Sequence, residues 1–524
     1  MVFLNYTDYI MTKKAVLALL IAVIIPVICY LWLKSASDSA VTVPKKYFFD
    51  SVITKEVNGK IKSDTLWHKS ANFSLINQLG DTVQLYSIKG KAIVIDLFFT
   101  KCGSICPRLT NSMSKLQQSF ITGGNVRQKI DTSVVQFISL SIDPERDSVS
   151  VLKEYADRNG VNPDNWWLLT GNRDTIYDRL LEDLKLAATL VPWRNELSAI
   201  GDAADERITK GTVKGLRARI ALYRGGFSLR QDGVVKRSTD YLKYYQIARD
   251  EAAEVMASNQ HSLNPSFRAL WKDQVNARAV ADPNGELMFQ ASGIGGVGAG
   301  DTKLAYYNGP TVNGLGNKSV NILPTYFYAF DSTDLRRDVT CAIYNVAADG
   351  SAKIGQAITA ICDGKYRRDW ISNPTVSPTN AIQYFSLKWQ ILRYADVMLM
   401  FAEAENELNG PTAAAYNAVN QVRRRGFGQS LTTANAAVDL PAGLSKAAFF
   451  TALVKERSLE LGGEGVRKYD LIRWNLLAST INDTKAALLA MSTLSAPYNN
   501  LPTGMFFRTG STSDDNRFGP TGLW

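Results

Sequence analysis

Residues 456–474 read ERSLELGGEGVRKYDLIRW, and their charges decide how the larger part of the chain is read. Glu456, Arg457, Glu460, Glu464, Arg467, Asp470 and Arg473 recur at three- and four-residue intervals. That spacing sets opposite charges side by side on helices. A catalytic carboxylate pair would need far fewer partners, so the series predicts salt bridges that hold helices together. Asp396 and Glu403, seven residues apart on one predicted helix face, take the same reading. The apolar periodicity around the stretch predicts helices over 449–461 and 466–477.

Working outward, the same helical texture continues. Residues 211–223 keep Val213, Leu216, Ile220 and Tyr223 on one stripe, and 241–256 are again amphipathic. Residues 389–408 carry Tyr394, Met398, Phe401 and Glu405 at helical intervals, and Gly410-Pro411 ends the run. A helix over 413–425 follows. Helix pairs joined by short turns are the unit of an α-solenoid such as tetratricopeptide repeats. Residues 260–388, rich in Gly, Asn, Pro and aromatics, read as long excursions from that scaffold, where binding residues usually sit. A sugar site needs aromatic faces and a few polar partners. Trp193, Trp271, Tyr306, Tyr307, Tyr326 and Tyr328 supply the faces, and Tyr306-Tyr307, followed by Asn308-Gly309-Pro310, is the pair expected to be exposed. The glycines between Gly293 and Gly300 lack the GK[ST] ending of a phosphate loop and read as a flexible loop. Cys341 and Cys362 read either as a bridge across a hairpin or as two thiols.

These residues resemble the SusD/RagB family of surface nutrient-binding lipoproteins. The likeness runs through Thr209-Lys210-Gly211, Lys214-Gly215-Leu216 and Ala218-Arg219, then Phe330-Asp331, Asp334, Arg336 and Asp338. It continues through residues 392–399, Ala402-Glu403-Ala404, Val419-Asn420, Val422-Arg423, Arg425 and the stretch 456–474. The resemblance implies a protein that carries out no reaction. It would bind glycans or other nutrients at the cell outer membrane, as the lid of a TonB-dependent, SusC-like transporter, and need no cofactor. Tyr306, Tyr307, Trp193 and Trp271 are the candidate ligand contacts. The family's lipobox and first helical repeats have no counterpart here.

The first third has a different texture. Lys91-Ala-Ile-Val-Ile-Asp-Leu-Phe-Phe99 is a buried-strand pattern that runs into Lys101-Cys102-Gly-Ser-Ile-Cys106-Pro107, then a helical stretch over 109–120. Both sulfurs fall near a helix N-terminus, which favours thiolate over thiol. A second strand over 134–142, the turn Asp143-Pro144-Glu145-Arg146-Asp147, a helix over 148–159 and Trp166-Trp167-Leu168-Leu169 follow. The alternation predicts a parallel-type α/β sheet. Two thiolates suit a soft metal such as Cu(I).

This part resembles the Sco/SenC family, thioredoxin-like periplasmic proteins held by one N-terminal helix that deliver copper to cytochrome oxidase or handle thiol redox. Phe98-Phe99-Thr100, Cys102 and Cys106-Pro107 carry the metal motif, and Ser141 with residues 143–147 carries the second signature. The resemblance makes Cys102 and Cys106 copper ligands, with a structural cysteine pair as the alternative. The family's third ligand is a downstream histidine; here the only histidine after Cys106 is His261, in unrelated sequence. The family pattern stops near residues 171–177, so its final strands are missing. A sheet without them has an open edge and an uncovered core face.

The expected organisation is therefore multidomain. Residues 1–36 form a cytoplasmic stub and transmembrane anchor, 37–177 a truncated thioredoxin-like domain, and 178–524 a mainly α SusD-like domain with tetratricopeptide-like helix pairs and long loops. Residues 15–33 are uncharged between Lys13-Lys14 and Lys34, and at about 1.5 Å per residue they reach across a bilayer core. The bulky exit Tyr30-Leu31-Trp32-Leu33 reads as an uncleaved inner-membrane anchor facing the periplasm. That location conflicts with the outer-membrane role. The juncture at 177–179 reads as a join between two incomplete pieces, which leaves a non-functional chimera as a third functional reading.

Composition narrows the field further. Of 524 residues 46% are hydrophobic, which excludes a disordered chain. The excess charge of +10 is spread evenly, 20 basic and 15 acidic residues up to Tyr177 and 39 and 34 beyond it. Without a basic patch, nucleic acid is not a partner. Two histidines, His68 and His261, are too few for multi-histidine metal catalysis or most triad hydrolases.

Overall fold

The computed structural model describes residues 30, 49–57, 60–67, 72–102, 105–122, 129–200, 207–230, 232–277, 282–291, 302–348, 353–372, 380–385 and 387–501. Apart from Tyr30, the expected anchor at 15–33 lies outside them, as do His68 and the glycine loop at 293–300. Among the described residues no helix is long and apolar enough to cross a membrane. The chain divides into two compact units, Met1–Ala71 and Asn72–Trp524. In the first, strands Phe49–Val57 and Lys60–Trp67 form an antiparallel hairpin.

The second unit opens with the anticipated parallel sheet. Strands β1 (Ala92–Phe98), β2 (Val135–Ser141) and β3 (Trp166–Leu169) lie in the order β1-β2-β3, all parallel. Helices α1 (Ile105–Gln118) and α2 (Val149–Arg158) connect them. Phe98, Met113, Phe137, Leu152, Tyr155 and Trp166 form the core of this part together with both cysteines. The opposite face of β1 is bare: Ile93, Ile95 and Leu97 are 40%, 58% and 58% exposed. Among the described residues β1 is one of the two end strands of the sheet. The open edge and uncovered face expected from the missing strands are thus present.

Helix α3 (Arg173–Leu190) runs through the expected boundary at 177/178 without a break. Its N-terminus is capped by Asn172, whose side chain accepts from the Thr175 N–H. Its Leu181 is buried in the helical interior of the remainder. The division into two compact units falls at residue 71/72. Arg230 joins the two textures, donating to Glu145 at 2.9 Å on the turn after β2 and to Asp174 at 3.3 Å in α3.

The helical array comprises α4 (Lys210–Gly225), α5 (Tyr241–Ala257), α6 (Tyr394–Asn409), α7 (Ala413–Gly426), α8 (Lys446–Glu460), α9 (Arg467–Arg473) and α10 (Leu477–Ser492). Its core packs Ala218, Leu222, Tyr245, Ala248, Val397, Phe401, Val419 and Phe449. Gly410, at φ +82°, ends α6, a conformation a side chain would disfavour. One predicted helix is shorter than its periodicity implied. Trp389–Arg393 is a strand, β5, paired antiparallel with β4 (Leu287–Ala291). Pairing with a strand roughly a hundred residues upstream overrides local helical spacing there.

The charge series folds into buried ion networks. Arg336 reaches Asp334 at 2.7 Å and Glu456 at 2.6 Å. Arg393 bonds Glu286 at 2.8 Å, Glu460 at 2.9 Å and Glu464 at 2.7 Å, while Arg425 also holds Glu286 and Glu460. A second network ties Asp396 to Arg219 and Arg457, Arg457 to Asp470, and Glu403 to Arg473. The reading as structural salt bridges holds. Burial alone would raise Glu460, but the Arg425, Arg393 and Arg336 guanidiniums overcome it and hold the carboxyl well below the usual carboxylate range. Burial likewise opposes ionisation of Asp396, and Arg219 and Arg457 overcome it.

Candidate functional site

The cysteine turn is built where β1 ends. Cys102 and Cys106 flank the entry to α1, and the Cys106 N–H donates to Cys102 Sγ at 3.3 Å. The turn is fixed from below by Asp147, whose carboxylate accepts from Thr100 Oγ1 at 2.5 Å and from Ser141 Oγ at 2.6 Å. One carboxylate thus ties the end of β1 to the end of β2. Asp147 stood in the second signature, but nothing in its spacing announced this clamp. Both cysteines are buried and unbridged. The helix N-terminus was expected to favour thiolate, yet burial pushes the Cys106 thiol up, and the neighbouring Cys102 adds to that. Desolvation outweighs the helix dipole because the sulfur sits in the apolar core.

In donor type the pair fits a soft cation such as Cu(I). A third ligand is another matter. Among the described residues no three His, Cys, Asp or Glu side chains gather as a metal site. His261 is buried in the helical part, its Nδ1 2.7 Å from the Gly285 carbonyl and its ring stacked on Tyr394.

The aromatic candidates divide. Tyr306 and Tyr307 meet edge to face at 5.2 Å, and Tyr307 is 43% exposed. Their backbone is held by Asn317 and Ser319, whose N–H groups donate to the Tyr306 and Tyr307 carbonyls at 2.7 and 2.8 Å. Lys303 extends the surface: its Nζ lies 5.9 Å from the Tyr306 ring and 4.7 Å from that of Tyr384, and donates to Gln383 Oε1 at 2.9 Å. Tyr384 was missed from sequence, because only folding brings it beside Lys303. Trp193 is half-buried under Lys210, and among the described residues no ring contact links it to the tyrosine pair.

Trp271 corrects the sequence reading. It is 0% exposed, packed edge to face on Tyr366 with Lys365 Nζ 4.7 Å from its ring, and so is a core residue with no face for a ligand. Tyr326 is committed as well, its hydroxyl donating to the Ser458 carbonyl at 2.7 Å. Cys341 and Cys362 lie on paired strands as buried free thiols, with Cys341 opposite Asp363 and Cys362 opposite Ala342.

Comparison with known proteins places each part. The SusD family profile matches residues 363–507, and the SCO1/SenC profile matches residues 63–199, some twenty residues past the expected boundary. The SusD-like protein P25 of Formosa agariphila is 42% identical over 108 residues, 21% of this chain and 19% of that protein. The SCO1 protein homolog of Bacillus subtilis is 36% identical over 113 residues, 22% of this chain and 54% of that protein. Among solved structures, a SusD homolog from Bacteroides thetaiotaomicron superposes with a TM-score of 0.51 at 27% identity, over 62% of this chain and 63% of its own. The chain spans about a fifth and about half of the length of these two curated relatives, and under two thirds of the solved one.

Proposed function

We propose that this chain, which joins a segment of SCO1/SenC type to a segment of SusD type, is a non-enzymatic nutrient-binding protein that captures oligosaccharides for uptake. The observation that carries the reading is the half-exposed Tyr306–Tyr307 pair beside Lys303 and Tyr384, set outside a SusD-type helical scaffold locked by buried ions. Aromatic faces take sugar rings and the neighbouring Lys303 and Gln383 take hydroxyls, with no reactive group required. In this role the protein sits at the outer membrane against a TonB-dependent, SusC-like transporter. Trp193, half-buried under Lys210, belongs to the same candidate set as a peripheral contact.

The test is binding of an oligosaccharide panel by isothermal titration. Tyr307→Ala is expected to weaken the best ligand about tenfold, with thermal unfolding unchanged. Oligosaccharide binding indifferent to both tyrosines sinks the assignment. Co-purification of the transporter with the tagged chain tests the partnership.

A second reading rests on the adjacent sulfurs of Cys102 and Cys106, with copper as cargo or the thiols as a redox pair on a membrane anchor. Competitive Cu(I) titration decides it: retention of Cu(I) by the chain, abolished in Cys102→Ala/Cys106→Ala, supports it. Failure of both assays leaves the non-functional chimera.

A further inference from the structure

A cavity of about 650 Å³ opens between the turn after β2 and helices α9 and α10. Residues 142–146 of the SCO1/SenC-type segment form one wall and residues between 468 and 481 of the SusD-type segment another, so neither segment alone builds it. A short hairpin that pairs Leu229 with Val235 forms a third. Ile142, Leu229, Val235, Tyr469 and Ile481 all line this space, and each is 41–58% exposed. Apolar side chains scattered singly over a surface need no explanation, but five gathered around one recess mark a binding site. The volume falls within the range of small-molecule sites, about 300–1,000 Å³.

The walls and the charges narrow the ligand. Four of the five exposed apolar residues are branched aliphatics and only Tyr469 offers a ring, so the lining suits an alkyl chain better than a sugar. Six charged residues also line the cavity, four basic and two acidic. Asp143 pairs with Arg146 at 2.6 Å, Glu145 with Arg230 at 2.9 Å, Arg173 with Asp174 at 3.2 Å and Arg473 with Asp470 at 2.7 Å. Lys468 is exposed and, among the described residues, has no ion partner. An uncompensated ammonium beside apolar walls complements an apolar body that ends in one anion.

We propose that this cavity binds a single-chain amphiphile with one anionic group, a medium-chain fatty acid, its alkyl chain against Ile142, Leu229, Tyr469 and Ile481 and its carboxylate toward Lys468. The site is separate from the tyrosine surface, and the proposal stands or falls independently of oligosaccharide binding. The experiment titrates the full chain at neutral pH with decanoate and with decan-1-ol, which shares the chain but lacks the charge, by calorimetry and ligand-observed NMR. Saturable decanoate binding is expected, about threefold tighter than decanol. Lys468→Gln should abolish that preference and leave decanol binding as it was. Ile481→Ser should weaken both ligands about fivefold; Tyr469→Ser serves as a second probe should that variant misfold. Ile95→Lys, on the bare face of β1, is the control for unspecific apolar association and should change neither affinity. Absence of saturable decanoate binding, decanol bound as tightly as decanoate, or a preference for decanoate that survives Lys468→Gln overturns the assignment. So does binding unmoved by Ile481→Ser and Tyr469→Ser, or binding lost in Ile95→Lys.

Discussion

The sheet at the start of the second unit and the helical array that follows hold themselves together by different means. The sheet has an apolar core of Phe98, Phe137, Leu152 and Trp166 on one face and bare Ile93, Ile95 and Leu97 on the other. The array adds buried charge to an apolar core of its own, with Arg336, Arg393 and Arg425 fully enclosed among Glu286, Glu456 and Glu460. An apolar core tolerates graded losses, because each methylene removed costs about its own share. A buried ion network does not, because deleting one member leaves a charge with no solvent and no partner. The array should therefore fail abruptly where the sheet fails by degrees.

The largest effect expected from this contrast is at Arg393. Arg393→Ala leaves Glu460 and Glu464 short of a partner and should cost about 3–5 kcal/mol, read by chemical denaturation. A loss below about 1 kcal/mol would mean that water enters the network and the contrast is false. Leu181→Ala comes next, at about 2–5 kcal/mol. Leu181 lies on α3, the helix shared by both textures. Equal loss seen by probes in the sheet and in the array would show one cooperative unit; loss confined to the array would show that the sheet unfolds separately.

Acid sharpens the contrast by another route. Asp396 and Glu460 are held below their ordinary values in the folded state, so the unfolded chain takes up protons first as pH falls. Their stabilisation is complete above the unfolded carboxyl range of about 4 and drains as pH drops beneath it. Asp96 in β1 behaves oppositely: burial pushes its carboxyl up, so its ionisation opposes folding and mild acid relieves the sheet. Unfolding followed from pH 6 to pH 3 should therefore weaken the array while the sheet gains slightly.

Much of this was legible beforehand. The parallel sheet followed from apolar runs alternating with helical stretches, and the salt-bridge networks from the three- and four-residue charge spacing. The strand at Trp389–Arg393 was not, because its partner at Leu287–Ala291 lies across a long excursion and local periodicity knows nothing of it. Trp271 looked like any loop aromatic, and only the assembled core shows it enclosed beside Lys365. The raised Cys106 thiol escaped for a related reason. A helix N-terminus can be read from sequence, whereas the desolvation that overrides it depends on what packs around the sulfur. The shared helix α3 was hidden by a change of family resemblance within it, which carries no information about where a backbone breaks.

The smallest effect on stability is expected at the bare edge. Ile95 projects from the middle of β1 and is 58% exposed, so Ile95→Lys removes little buried surface and should change unfolding free energy by no more than about 0.5 kcal/mol. Its effect on association should be much larger. An edge strand offers unpaired backbone groups, and a row of apolar side chains along it favours pairing with another chain. A lysine in the row adds like-charge repulsion between any two copies that approach edge to edge. Light scattering at rising concentration should show the parent chain associating before the variant, with coincident denaturation curves. If the two associate alike, the apolar row is covered in solution, and the sheet is no more exposed than the array to which it was compared.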